Sequence, residues 1–203
     1  MSCADKTRFF VDLAAVWDGL QNLAELECEL AAGLVELGVG GDETVLDVGC
    51  GTGNLTSSLL DRLGPQGRVL ALDLVPAMIE IARCKNPDPR VEWHVADAQR
   101  LPLPSSSVDR VVCFSVWPHF DAAPAAAAEL GRVLRGGGQL HVWHLASRAR
   151  INAIHASASE AVKDDLLRPA GETVSLLCAA GLDPIQAIDD ERRYLVSAVK
   201  RTR

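Results

Sequence analysis

The stretch that decides the fold is residues 45–56, which read VLDVGCGTGNLT. An apolar run interrupted by one aspartate ends in three glycines at alternate positions, and leucines at helical spacing follow. This order predicts a strand, a tight glycine-rich turn and a helix, which together typically open a nucleotide-binding βαβ unit. Glycine suits such a turn because it accepts positive φ and has no Cβ to keep a ligand from the backbone.

The spacing of these glycines separates two kinds of ligand. The dinucleotide fingerprint G-x-G-x-x-G needs its third glycine at position 54, where this chain has Asn54. The pattern G-x-G-x-G, with Asp47 two residues before Gly49, instead resembles the first motif of class I S-adenosylmethionine (SAM) dependent methyltransferases. That resemblance implies SAM as the cofactor, with the loop against its methionine part and Asp47 near its amino-acid end. An NAD-dependent oxidoreductase is the least favoured alternative.

Composition narrows the class of protein. The chain has 203 residues, 48% of them hydrophobic, which is enough for one domain with a substantial core. Its net charge of −7 and its lack of a long basic stretch disfavour nucleic acid as a partner. The connections after the fourth strand and between the last two strands are short and offer no insertion to recognise a macromolecule, so a small-molecule acceptor is expected. No apolar run reaches the length of a membrane span and no signal peptide is evident, which predicts a cytoplasmic protein. The six cysteines form no C-x-x-C pair, and the oligomeric state stays open.

Apolar segments beyond the glycine loop predict the rest of the sheet. Strands are expected at 45–48, 69–72, 91–95, 108–114, 139–144, 184–188 and 194–199. Helices are expected after the loop as far as Leu63, from Pro76, at 124–134, 149–163 and 171–180, and as a pair within 7–37. The last two strands are joined by five charged residues, too few for a parallel crossover. We therefore predict an α/β fold, a Rossmann-like doubly wound seven-stranded sheet, mostly parallel with an antiparallel last strand and helices on both faces.

Further motifs extend the resemblance over most of residues 8–199. Residues 132–137, RVLRGG, match the R-V-L-x-x-G-G pattern that precedes a strand in the family, and Asp97-Ala98 match its x-D-A element. Residues 8–18 resemble the N-terminal segment of methyltransferases similar to those of ubiquinone and menaquinone biosynthesis, where it covers the SAM site. The alternative is that these aromatic residues are simply core. We predict one domain, 1–203, with a helical lid (1–40), a SAM-binding core (41–146) and C-terminal helices with a closing hairpin (147–203).

The expected cofactor contacts follow from the same comparison. Asp73 ends the second strand about 20 residues past the glycine loop, a position suited to accepting hydrogen bonds from ribose hydroxyls. In the family this residue holds the two ribose hydroxyls of SAM, and the acid at Asp97 lies by the adenine amino group. The full predicted set is Asp47, Gly49, Cys50, Gly51, Gly53, Asn54, Asp73, Leu74, Met78, Asp97, Ala98 and Ser115.

The acceptor half of the site is less defined by sequence. His119 follows the fourth strand and His144 ends the fifth, so both are expected at the active-site edge and are the candidate catalytic bases. The predicted substrate pocket comprises Phe10, Trp17, Trp117, His119, His144 and His155. Asp164 and Asp165 lie at the end of the helix that carries His155, and the three histidines and a carboxylate could converge on one pocket. No metal is assigned. The alternative function is a SAM-binding module that uses the histidine pocket to hold a ligand or metal without turnover.

Overall fold

The computed structural model describes residues 3–202 and contains one seven-stranded sheet. The strands are β1 (Thr44–Val48), β2 (Arg68–Asp73), β3 (Val91–Val95), β4 (Val108–Phe114), β5 (Leu134–His144), β6 (Leu182–Asp189) and β7 (Tyr194–Lys200). Their order is β3-β2-β1-β4-β5-β7-β6. Neighbours from β3 to β5 are parallel, and β7 is antiparallel to both β5 and β6. The predicted seven-stranded sheet with an antiparallel last strand is confirmed.

Seven α-helices and two 3₁₀ helices accompany the sheet in the described residues. The α-helices are α1 (Cys3–Leu13), α2 (Leu23–Glu36), α3 (Asn54–Arg62), α4 (Pro76–Lys85), α5 (Ala123–Val133), α6 (Arg148–Ala158) and α7 (Ala170–Ala179). The 3₁₀ helices span Ala14–Leu20 and Trp117–His119.

The side chains of β1 show why helices are needed on both faces. Val45 belongs to a core formed with leucines of α2 and α3, whereas Leu46 and Val48 belong to a second core formed with residues of α5 and α7. Successive side chains of a strand point to opposite faces, so an unbroken apolar run requires cover on both sides. The sheet is thus sandwiched between two helical layers, and β1 lies between β2 and β4.

Three element boundaries differ from those predicted. The N-terminal pair of helices includes a third, 3₁₀ segment, because Asp18 is drawn onto the glycine loop by hydrogen bonds to Thr52 and Asn54. Helix α6 ends at Ala158, because the following chain folds back and Leu167 pairs its backbone with the Asn152 side chain.

The third difference lies at the start of β5. This strand begins at Leu134 instead of Gln139, because Leu134 pairs with Val108 across a register shift that absorbs three glycines.

Among the helices of residues 3–202, none combines the length and apolar character that crossing a bilayer requires. The division into lid, core and C-terminal part stays a prediction.

Candidate functional site

A cleft opens where β1, β2 and β4 end. We call it the first cleft. Its walls are formed by Lys6, Thr7, Phe10, Trp17, Val48, Gly49, Gly51, Leu72, Asp73, Leu74, Val75, Met78, Ala96, Asp97, Ala98, Gln99, Ser115, Val116, His119, Phe120 and Asp121. In parallel sheets the crevice beyond the carboxyl ends of the strands is where ligands bind. The position of the cleft therefore fits a ligand site.

A second cleft lies on the other side of the glycine loop. It is lined by Trp17, Gln21, Asn22, Glu25, Leu26, Glu29, Asp47, Gly49, Cys50, Gly51, Thr52, Asn54, Leu55, Phe114, Ser115, Leu145, Ala146 and Ile151. Both clefts share Trp17, Gly49, Gly51 and Ser115, which we call the shared wall. A ligand lying along this wall would touch both clefts.

The glycine loop adopts backbone conformations in which residues other than glycine would be strained. Gly49 has φ +69°, and a Cβ placed there would lie 2.3 Å from Cγ2 of Val116. Gly53 has φ +83°, and its Cβ would meet the Asn86 side chain at 2.7 Å. Gly53 lines neither cleft formed by the described residues and serves as the N-cap of α3. The loop therefore presents bare backbone at Gly49 and close helix packing at Gly53.

Asp73 ties the end of β2 to the glycine loop. Its Oδ2 accepts a hydrogen bond from Gly51 N at 2.9 Å, and its Oδ1 accepts one from Val75 N at 2.8 Å. Burial raises the pKa of Asp73, although these N–H groups oppose the rise. A carboxylate has about four lone-pair sites, so these contacts leave part of its accepting capacity free. The side chain lines the first cleft, where it can accept further hydrogen bonds.

Asp47 is the acid of the second cleft. It is 1% exposed, and Oγ1 of Thr56 donates a hydrogen bond of 2.6 Å to its Oδ2. Burial raises the pKa of Asp47 to about 7, and the negative charge of Asp73 adds to the rise. A buried acid of this kind gains most from a cationic partner, since a nearby positive charge favours the ionised form.

The other predicted cofactor residues divide between the two clefts. Leu74, Met78, Asp97 and Ala98 line the first cleft, and Cys50 and Asn54 line the second. Asp97 receives its own hydrogen bonds from Gln99, through the backbone N–H at 2.8 Å and the side-chain amide at 3.1 Å. Asp73 at the end of β2 and Asp97 just after β3 therefore line the first cleft, and Asp47 on β1 lines the second.

The N-terminal segment lies over the glycine loop. Asp18 accepts hydrogen bonds from Thr52 and Asn54 and forms an ion pair of 2.8 Å with Lys85 on α4. A Cβ on Gly51 would lie 4.0 Å from Nε1 of the neighbouring Trp17. The predicted covering residues Phe10 and Trp17 both line the first cleft, and their rings meet edge to face with centroids 6.0 Å apart.

His119 meets a carboxylate and a lysine at the far end of the first cleft. Its Nδ1 lies 2.8 Å from Oδ2 of Asp165, and Nζ of Lys6 lies 2.7 Å from Oδ1 of the same carboxylate. Lys6 also pairs with Asp121 at 2.7 Å. Burial opposes the ionisation of Asp165, but hydrogen bonds from His119 and Lys6 outweigh it and lower the pKa of that carboxyl.

The remaining predicted pocket residues line neither the first nor the second cleft. His144 is 1% exposed, contrary to its expected place on the active-site edge, because it packs edge to face on Tyr194 with centroids 5.8 Å apart. Burial lowers the pKa of His144 to about 3, with a smaller effect from His119 and His155. Trp117 is buried against Phe120.

His155 is half-buried, and its ring lies 4.8 Å from that of His119. Its Nδ1 donates to the backbone carbonyl of Asp165, and burial lowers its pKa. Of the three histidines expected to converge with a carboxylate, His119 and His155 contact Asp165, whereas His144 is buried against Tyr194. No three metal-binding side chains among the described residues lie close enough to hold a metal ion.

Sequence reasoning missed Lys6 and Lys85, the two cations that fasten the N-terminal segment. A single lysine on an amphipathic helix gives no signal of its own, because most such side chains are solvated. Lys6 is recognisable only by its pairing with acids more than a hundred residues away, and that pairing depends on the tertiary fold.

Comparison with known proteins agrees with the geometry. A family model described as a methyltransferase domain matches residues 45–138. The malonyl-acyl-carrier-protein O-methyltransferase of Hahella chejuensis is 36% identical over 137 residues, 67% of this chain and 49% of that protein. The ubiquinone/menaquinone biosynthesis C-methyltransferase UbiE of Bordetella parapertussis is 36% identical over 108 residues, 52% of this chain and 42% of that protein. The chain thus spans about half or less of the length of these curated relatives.

Solved structures share the fold at lower sequence identity. A chain from the complex between the Haloferax volcanii Trm112 methyltransferase activator and a methyltransferase has a TM-score of 0.77 at 22% identity, covering 95% of this chain and 98% of that one. A SAM-dependent methyltransferase from Aquifex aeolicus has a TM-score of 0.74 at 22% identity, covering 91% and 97%. The family-model match, the sequence relatives and the glycine motif identify residues 45–138 as a methyltransferase domain of the class I SAM-dependent type.

Proposed function

We propose that this protein transfers the methyl group of SAM to a small-molecule acceptor. The observation that carries the proposal is Asp73, which is fixed by Gly51 N–H and Val75 N–H and turned towards the first cleft. A fixed carboxylate with free lone pairs is what a pair of ribose hydroxyls requires. The family to which the chain belongs uses SAM as its methyl donor.

The residues present fit this cofactor. Gly49 and Gly51 contribute no side chain to the shared wall, so a ligand can approach the backbone there. Asp73 and Asp97 would hold the ribose and adenine in the first cleft, whereas Asp47 in the second cleft suits the ammonium group of the methionine part. SAM when bound supplies an electrophilic methyl group on a sulfonium, which is the demanding part of the chemistry.

The chain must align the acceptor with the methyl group and exclude water from the reacting atoms. Phe10 and Trp17 cover the first cleft, and the bonds of Asp18 hold this cover on the glycine loop. Holding two reactants in a near-attack geometry can supply about 7–11 kcal/mol of a barrier. Excluding water also protects a reactive electrophile from hydrolysis. These residues therefore act by position and need no covalent role.

The size and charge of the clefts favour a small acceptor. Both are bounded by short connections and carry acids such as Glu25, Glu29 and Asp121, with no basic track for a phosphate backbone. The Hahella and Bordetella relatives are named for an O-methyltransferase and a C-methyltransferase, so relatives differ in the atom they methylate. The acceptor of this chain must therefore be argued from its own residues.

Binding and turnover test the proposal separately. Calorimetry should show that S-adenosylhomocysteine binds and that NAD does not, and SAM should be converted to S-adenosylhomocysteine with one acceptor class in a panel of phenols, amines and carboxylic acids. Tighter binding of NAD would refute a SAM site. Binding of S-adenosylhomocysteine without turnover on any class would favour the alternative of a SAM-binding module without catalysis.

A further inference from the structure

The contact with Asp165 determines which ring nitrogen of His119 carries the proton. Nδ1 of His119 lies 2.8 Å from Oδ2 of Asp165, whose side chain is 7% exposed. An ionised carboxylate only accepts hydrogen bonds, so Nδ1 must carry the hydrogen. In the neutral ring the other nitrogen, Nε2, then holds the free lone pair. His119 lines the first cleft, so this nitrogen is the one left to meet a ligand.

Asp165 is itself held at its side chain and at its backbone. Nζ of Lys6 bonds Oδ1 of the carboxylate at 2.7 Å, and Nδ1 of His155 donates to its backbone carbonyl. Two residues further on, Asn152 forms hydrogen bonds of 2.8 Å and 3.2 Å with the backbone of Leu167. The segment after α6 is thus fastened to that helix, which keeps the carboxylate at one place beside His119.

The surroundings of His119 include both aromatic and charged residues. The Phe10 ring meets the imidazole edge to face with centroids 5.1 Å apart, and Phe120 lines the same cleft. The titratable groups that interact with His119 come from four elements, namely Asp73 at the end of β2, His144 at the end of β5, His155 on α6 and Asp165 after it. A flat, weakly acidic ligand suits such a lining.

We propose that His119 is the general base for a hydroxyl group on an aromatic acceptor and that Asp165 positions it. This inference rests on the proposed methyl transfer and names its acceptor class. Nε2 of His119 takes the hydroxyl proton while the acceptor oxygen forms its bond to the methyl carbon. The methyl–sulfur bond breaks and its electron pair stays on sulfur. The products are a methyl ether, S-adenosylhomocysteine and an imidazolium ring that Asp165 stabilises.

The chemistry selects the hydroxyl over other acceptors. A carboxylate is already ionised and gives a base nothing to remove. A neutral amine attacks with its own lone pair and can lose its proton afterwards. An aliphatic alcohol is far too weakly acidic for imidazole, whereas a phenol is acidic enough for the proton transfer to contribute. A fixed, unprotonated imidazole nitrogen is therefore most useful to a phenol or a similar enol.

A spectroscopic probe tests the base without requiring turnover. 4-Nitrophenol would be titrated into the S-adenosylhomocysteine complex at a pH where the free probe is neutral, and its absorbance would report ionisation. Wild type should bind the probe as nitrophenolate, and His119→Asn and Asp165→Asn should bind it as the neutral phenol. Asp164→Asn, which changes the exposed neighbouring acid, should behave as wild type. Failure to bind the probe, or its binding in neutral form by wild type, would overturn the inference.

A kinetic series separates positioning from a general structural role. In a set of phenols that are turned over, Asp165→Asn should slow the least acidic member about 100-fold and the already ionised nitrophenol only a few-fold. A structural defect would slow every member equally and would overturn the role given to Asp165. Should the variants not fold, nitrogen NMR of wild type must show the hydrogen of neutral His119 on Nδ1, and its presence on Nε2 would refute the dyad.

Two controls keep the proposals distinguishable. Binding of S-adenosylhomocysteine is measured by calorimetry in every variant, because its absence in wild type would overturn the proposed function and this inference together. If it binds, and methyl transfer is found only with amines or carboxylic acids, the hydroxyl acceptor is refuted while the proposed function stands.

Discussion

Replacing Asp73 by alanine should weaken cofactor binding by an amount that its contacts predict. Two hydroxyls would bond the two carboxylate oxygens, and hydrogen bonds to charged groups contribute about 1.5–3 kcal/mol each. Because the two bonds share one side chain and are not additive, we expect a combined loss of about 3 kcal/mol, or roughly 150-fold in Kd. Asp73→Asn keeps one acceptor oxygen and should lose about tenfold.

The assay is calorimetry with S-adenosylhomocysteine and with its 2′,3′-dideoxy analogue. Wild type should prefer the complete ligand by the same factor that Asp73→Ala loses, and the variant should not distinguish the two ligands. The variant also leaves Gly51 N–H and Val75 N–H without their acceptor, so unfolding must be measured alongside. Glu80→Ala removes an exposed acid of α4 and serves as the control. Equal discrimination by wild type and Asp73→Ala would refute the ribose assignment.

Three further changes test other parts of the site. Gly49→Ala would place a Cβ 2.3 Å from Val116 at a φ of +69°, so urea denaturation should show a loss of about 1–3 kcal/mol, with weaker S-adenosylhomocysteine binding. Burial raises the pKa of Asp47 from 3.8 to about 7, so the folded protein loses stability as pH rises from the lower value to the higher one. Asn does not ionise, so thermal melts should show that the stability of Asp47→Asn relative to wild type increases between about pH 4 and about pH 8. A relative stability that decreases over this range would contradict the assignment. Asp18→Ala removes the acceptor for Lys85, and stopped-flow fluorescence should show several-fold faster release of S-adenosylhomocysteine; an unchanged rate would mean that the segment does not retain the ligand.

The fold was predictable because its signals are local. The run from Val45 to Val48 must be a strand covered on both faces, and the glycines after it allow only a tight turn into a helix. The five charged residues before Tyr194 similarly force a hairpin and hence an antiparallel last strand. Such features depend on a few neighbouring residues, and chain sterics decide them before tertiary packing contributes.

The acceptor side was predictable only in part, because it depends on contacts between distant segments. His144 does end a strand at the expected edge of the sheet, but its pairing with Tyr194 on β7 buries the ring. The 3₁₀ form of Ala14–Leu20 depends on Asp18 reaching Thr52 and Lys85, which propensity does not encode. The partner of His119, Asp165, is 46 residues away along the chain, beyond the end of α6.

Lys6 belongs to two parts of the molecule at once. It lies on α1, which covers the first cleft, and it bonds the carboxylate that orients His119. Helix α1 cannot move away from the cleft without breaking that ion pair. If a ligand enters by such a movement, the Asp165 carboxylate loses its lysine partner whenever the cleft is open. The proposed proton acceptor would then be complete only in the closed form, and the Lys6 ammonium group would couple closure to the His119–Asp165 pair.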